Sequence, residues 1–196
     1  LAESLFGENF DFVRRITDSF GNVTYMYGYG QKTFSTSVDG VFEYKNETLE
    51  GDSTGFFSDL QTALTFVAMH GGWDGLDGQD AAFYLKDAQS IADGKKEGYR
   101  FSFAIELSGE EVFYESGFPI EIEVLAGQIS YYKRDVFSVD DDYTASFRPA
   151  QDPANVIAQN YSYIYSNMNS NTFSVNEEEA FDAVASWIIS VQTGFV

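Results

Sequence analysis

Between Pro119 and Leu125 the chain reads PIEIEVL. Ile120, Ile122 and Val124 alternate with Glu121 and Glu123, the period-two pattern of a strand with one dry face and one wet face. The same alternation opens the chain. FDFVRRITDSFGNVTYMYGYG alternates around Phe20-Gly21-Asn22, and TFSTSVDGVFEYKN around Asp39-Gly40, a strong hairpin signal. These stretches predict three or four antiparallel strands before residue 47. From Tyr99 the pattern resumes in YRFSFAIEL, EVFYESG and FPIEIEVLAGQISYYKRDVFSV. Half-wet strands of this kind cannot stay in water alone; each meander needs a helix or a second meander over its apolar face. The expected class is therefore α+β, with antiparallel β-meanders each packed with helices.

The helices are legible by a change of period. After the polar break at 47–55, Phe57, Leu60, Leu64 and Val67 stand at i, i+3, i+7 and i+10, one stripe of an amphipathic helix ended by Gly71-Gly72. WDGLDGQD reads as a loop and DAAFYLKDAQSIAD as a shorter helix. DDDYTASFRPAQDP reads as a connector, and Pro153 as the first residue of a helix through ANVIAQNYSYIYSNM. Ser174 and Glu177 form a capping box before a last helix striped by Phe181, Val184, Ile188 and Val191.

One phrase occurs twice. GVFEYKN (40–46) and GQISYYKRDV (127–136) each run from a glycine through an apolar stretch to Tyr-Lys. Six ordered correspondences surround them: Gly21 with Gly109, Val23 with Val112, Tyr25 with Tyr114, Gly28 with Gly117, Gly40 with Gly127 and Lys45 with Lys133, at offsets of 87 to 89. The economical reading is a duplicated meander-plus-helix unit, with repeats at about 9–72 and 98–194 inside a single domain of residues 1–196.

Composition narrows the function. The chain has 196 residues, 31 acidic against 11 basic side chains and a formal charge of −20. Nucleic acid is excluded as an expected partner, because phosphate binding needs clustered Lys and Arg. The chain contains no cysteine, which removes disulfides, zinc–thiolate sites and a thiol nucleophile. It has one histidine, His70, at a helix end and without a partner for a catalytic triad. Asp135 with Asp140, Asp141 and Asp142, and the loop from Asp74 to Asp80, both lack the ligand spacing of a calcium loop and read as solvated turns. Gly28-Tyr29-Gly30 lacks the ending of a phosphate loop. Glu106, Glu110, Glu111, Glu115, Glu121 and Glu123 crowd the second meander, but alternation on a wet face accounts for the last two without catalysis. No cofactor, metal or catalytic residue is expected. Asn22, Asn46 and Asn160 match the glycosylation acceptor pattern. Tyr25, Tyr27 and Tyr29 share one strand face, either as core or as a recognition surface.

Several of these segments resemble the extracytoplasmic part of the YycH and YycI regulators, membrane-anchored accessory proteins of an essential cell-wall sensor histidine kinase in Gram-positive bacteria. FVAMHGGW closing a helix, YRFSFAIEL, GFPI leading to EVLAGQISYYKR, and EEAFDAVASWI carry the resemblance, over roughly residues 57–195. It implies a non-catalytic regulatory domain that acts by protein–protein contact with a membrane sensor kinase or related regulator. It also implies an extracytoplasmic location, with an anchor preceding residue 1. Glu121 and Glu123 are the expected partner-binding residues, and homo- or hetero-oligomers remain open. The alternative is a small-ligand or glycan-binding module that uses the aromatic face.

Overall fold

The computed structural model describes residues 1–73, 81–107, 109–114, 117–136, 153–168, 184 and 194–195. The chain forms two compact units, residues 1–139 with 195–196, and residues 140–194. The second unit contains helix α3 (Pro153–Met168), which begins at the expected proline. Val184 is helical and buried; the rest of its stripe, the capping box, Asp140 to Asp142 and the Asp74–Asp80 loop lie outside the described residues.

The first unit is an antiparallel sheet with a few helices, α+β or mostly β in class. Nine strands build it: β1 (Arg14–Thr17), β2 (Val23–Tyr27), β3 (Lys32–Thr36), β4 (Val41–Asn46), β5 (Ala81–Asp93), β6 (Lys96–Leu107), β7 (Glu110–Val112), β8 (Ile120–Leu125) and β9 (Gln128–Asp135). The order is β1-β2-β3-β4-β9-β8-β6, with β5 and β7 both on β6. Strands β1 to β4 form the expected opening meander. Helix α1 (Ala2–Phe6) precedes them, and α2 (Phe56–Met69) packs against β6, β8 and β9.

The register lines up one row of directly opposed residues across eight strands. Arg15, Tyr25, Phe34, Tyr44, Tyr132, Ile122, Phe101 and Ala88 follow one another from β1 to β5. Six of them, Tyr25 through Phe101, belong to the core or pack against it. Period two makes this unavoidable: once Tyr44 faces the helix, every residue opposed to it in the ladders does too. Aromatic contacts fasten α2 to the row. Phe66 lies 6.1 Å from Tyr44 and 5.3 Å from Tyr132, and Phe56 lies 5.7 Å from Phe101.

Two local expectations are corrected. The helix expected over 80–93 is not formed by residues 81–93; Ala81–Asp93 is strand β5, paired with β6 along its length and bulged at Lys86. The determinant is Gly94-Lys95, a two-residue hairpin turn with Gly94 at φ 61° that closes Asp93 onto Lys96. Helix α2 does not bury Phe57, which is 84% exposed; its inner face is Asp59, Ala63 and Val67, flanked by Phe56, Leu60 and Leu64. Asp59, the only ionisable residue on α2, is fully buried and accepts a hydrogen bond from the Thr54 hydroxyl.

The repeated phrase has a structural counterpart at its centre and none at its ends. Strands β4 and β9 pair with each other, Tyr44 opposite Tyr132 and Glu43 opposite Lys133. Each is the second strand of a hairpin whose turn holds a glycine at positive φ, Gly40 at 83° and Gly127 at 71°. The drift in offset, 127 − 40 = 87 against 133 − 45 = 88, falls at a bulge: Glu123 opposes Tyr131 and Val124 opposes Ile129, leaving Ser130 as the extra residue. The outer correspondences occupy unlike places. Strand β2 pairs with β3, whereas β7 pairs with β6, and Tyr114 follows β7 rather than opposing β8.

Candidate protein-contact face

Glu121 and Glu123 lie on the sheet face opposite α2, as their alternation with the buried Ile120, Ile122 and Val124 requires. The register converts that face into two rows. The first runs Ser35, Glu43, Lys133, Glu121, Ser102 across β3, β4, β9, β8 and β6. The second runs Thr33, Lys45, Tyr131, Glu123, Arg100 across the same strands. Charges of opposite sign therefore face one another along both rows. Each such cross-strand pair stabilises by a few tenths to about 1 kcal/mol, and together they pin the register.

Glu123 is held by Arg100, with Nε at 2.8 Å and Nη2 at 2.5 Å from one carboxylate oxygen. That pairing raises the Arg100 pKa, and Glu121 and Tyr131 add to it. Glu43 pairs along its own strand with Lys45 at 2.5 Å, and Lys133 pairs with Asp135 at 3.5 Å. The two glutamates expected to form an acidic patch are thus part of a mixed-charge lattice, Glu123 paired with Arg100 and Glu121 standing opposite Lys133.

Tyr131 sits at the centre of the second row. The Lys45 ammonium lies 5.8 Å from its ring centroid. Burial pushes its hydroxyl pKa up to about 12, and the carboxylates of Glu43, Glu121 and Glu123 add to the shift by disfavouring a phenolate among them. Tyr114 is also shifted upward, by burial and by Asp135. The repeated Tyr-Lys phrase draws attention to Tyr132 and Lys133 rather than to Tyr131. The period-two rule is the signal that separates them: Tyr132 faces α2 and is buried, so Tyr131 faces the other way.

The other candidates fall elsewhere. His70 is buried at the end of α2, stacked on Phe66 at 4.1 Å, with its Nδ1 2.9 Å from the Phe66 carbonyl oxygen. Tyr25 and Tyr27 pack against the core, whereas Tyr29 stands alone and fully exposed in a turn after β2. The three tyrosines therefore do not form one platform. Asn46 is buried and its side chain bonds Thr48 and the Ile129 carbonyl, while Asn22 is half-buried at a hairpin tip, its side chain bonded to Asp18 and Val38. Glu106 opposes Glu111, and Glu111 pairs with Lys86 at 2.8 Å. Among the described residues no three His, Cys, Asp or Glu side chains are grouped to hold a metal ion, and no helix is long and apolar enough to cross a membrane. Compared with protein-family models, with curated proteins and with solved structures, the chain matches none.

Proposed function

We propose that the chain is a regulatory domain that acts by protein–protein contact through the lattice of Glu43, Lys45, Glu121, Glu123, Tyr131 and Lys133. The observation that carries this reading is the arrangement around Tyr131: an aromatic side chain, half-buried, set in a sheet surface of alternating charge. A flat ladder of this kind offers register-specific charge complementarity to a macromolecular surface. A small ligand prefers an enclosed apolar cavity, and two cavities lined by Leu60 and Leu64 and by Phe66 and Met69 border α2 rather than this face.

The class of partner follows from the resemblance to the YycH and YycI regulators, which rests on the sequence features alone: the extracytoplasmic portion of a membrane sensor histidine kinase. A location outside the cytoplasm and an anchor before residue 1 belong to the same proposal. So does an ancestral duplication, here confined to the β3–β4 and β8–β9 hairpins, whose Phe34–Tyr44 and Ile122–Tyr132 pairs occupy matching positions about the β4–β9 seam.

Calorimetric titration of the kinase's extracytoplasmic portion with the wild-type chain and a Glu121→Lys/Glu123→Lys variant tests the reading. The variant is expected to keep its circular dichroism spectrum and bind at least about tenfold more weakly, a loss of roughly 1.4 kcal/mol. Equal affinity would remove this face as the interface.

A further inference from the structure

Helix α2 packs over β6, β8 and β9, and β5 is the next strand out. Leu60 and Leu64 on the helix, Phe83 and Leu85 on β5, Phe103 on β6 and the nearby Trp73 line a cavity of about 240 Å³. The register explains why these side chains meet. Leu85 opposes Phe103 and Phe83 opposes Ile105, so both share the sheet face that carries Phe101 and α2. The rings stand edge to face: Trp73 lies 5.0 Å from Phe103 at 62° and 6.0 Å from Phe83 at 63°. In a close-packed domain, an apolar void of this size forfeits contacts that its lining could make.

We propose that this cavity is a binding site for a small neutral aromatic molecule of one or two rings. Its chemistry excludes the other ligand classes in turn. No charged side chain lines it, and the Tyr84 hydroxyl at its wall interacts with Glu111 and Lys86. A ligand carboxylate or phosphate would be desolvated there without a cationic partner, in a chain of formal charge −20. A cation would find aromatic rings, but Phe83 already carries one: the Arg134 guanidinium carbon lies 5.7 Å from its ring centroid. Arg134 is buried and donates to the Gly72 carbonyl oxygen at 2.6 Å, so a second cation would sit beside a fixed like charge.

Volume sets the size of the ligand. An apolar cavity of about 150 Å³ holds one benzene ring, whereas drug-sized ligands occupy pockets of about 300 Å³ or more. At about 240 Å³ the site falls between, which suits one substituted ring or a fused pair. The lining sets the class. Three rings already in edge-to-face contact extend to a fourth with the same geometry, which a saturated chain of equal volume cannot reproduce. Access is from the sheet edge, where Leu85 is 38% exposed on a strand that has β6 on one side alone among the described residues. The site is separate from the charged lattice, because Leu85 shares the face of Phe101 and α2 while Tyr131 lies on the other face.

Methyl NMR of the full chain, titrated separately with toluene, benzoate and benzylammonium, tests the place and the class together. Toluene is expected to shift the methyl resonances of Leu60, Leu64 and Leu85 by its ring current, saturably, with a Kd of about 1 mM or tighter. Benzoate and benzylammonium carry the same ring with a charge, and each is expected to bind at least about tenfold more weakly. Leu85→Trp fills part of the cavity from an exposed strand position that tolerates an aromatic residue. It is expected to cut toluene affinity at least about tenfold with an unchanged circular dichroism spectrum. Should that variant fail to fold, the ranking of the three probes on the wild-type chain still decides. No saturable shift at these leucines, a charged probe binding within tenfold of toluene, or a folded Leu85→Trp chain that binds toluene as the wild type does would each overturn the proposal.

Discussion

Tyr132 donates its hydroxyl to the carbonyl oxygen of His70 at 3.0 Å, joining the middle of β9 to the end of α2. Both residues are buried, and the Tyr132 ring lies between Tyr44 on the next strand and Phe66 on the helix. Tyr132 therefore closes both the seam between the two halves of the sheet and the docking of the helix upon it. Tyr132→Phe keeps the ring and leaves the His70 carbonyl without this donor, at a cost of about 1–2 kcal/mol. Tyr132→Ala also leaves a cavity and is expected to cost about 3–5 kcal/mol. Urea denaturation of the two variants measures the difference; equal losses would show that the hydrogen bond, rather than the ring, dominates.

Gly98 makes the closest backbone approach among the described glycines. A Cβ there would lie 1.8 Å from the Val124 carbonyl oxygen and 2.8 Å from its carbon, on the β6–β8 ladder. Backbone cannot step aside as a flexible side chain can, so Gly98→Ala must spread β6 from β8. The expected outcome is a loss of several kcal/mol, of the size seen for overpacked cores or more, visible as a large fall in melting temperature. An unaltered melting temperature would contradict the strand pairing itself.

Alkaline titration tests the environment of Tyr131. Its pKa is about 12 in the folded chain and about 10 when unfolded. The folded state consequently holds more protons than the unfolded state between those values. Stability from this group is intact below pH about 10 and falls as pH rises toward 12. Tyr131→Phe should flatten that part of the stability curve and remove one late-titrating phenol from the absorbance change of tyrosine ionisation. Glu123→Gln should shift the same phenol downward only slightly, because burial is the larger cause.

Much of the sheet was legible in the residues, for a reason that also explains what was missed. Alternation in 120–124 assigns faces without any knowledge of the fold, and it placed Glu121 and Glu123 correctly opposite the core. The Asp39-Gly40 turn and the glycine at 127 likewise encode hairpins locally. Residues 81–93 mislead because Ala, Leu, Lys and Gln favour a helix, while the 13-residue strand they form is imposed by pairing with β6. Phe57 misleads because hydrophobicity alone cannot distinguish a residue turned to the core from one turned outward at a helix end. The lattice around Tyr131 depends on the register of β4 against β9, residues almost ninety positions apart, and no local pattern encodes that.

The contact reading is tested most directly by hydrogen–deuterium exchange of the intact chain with and without the extracytoplasmic portion of the sensor kinase. The account predicts slowed exchange in β4, β8 and β9, centred on Lys45, Glu123 and Tyr131, with α2 unchanged by that partner. Protection that spares these three strands, or that falls on α2 alone, would contradict it.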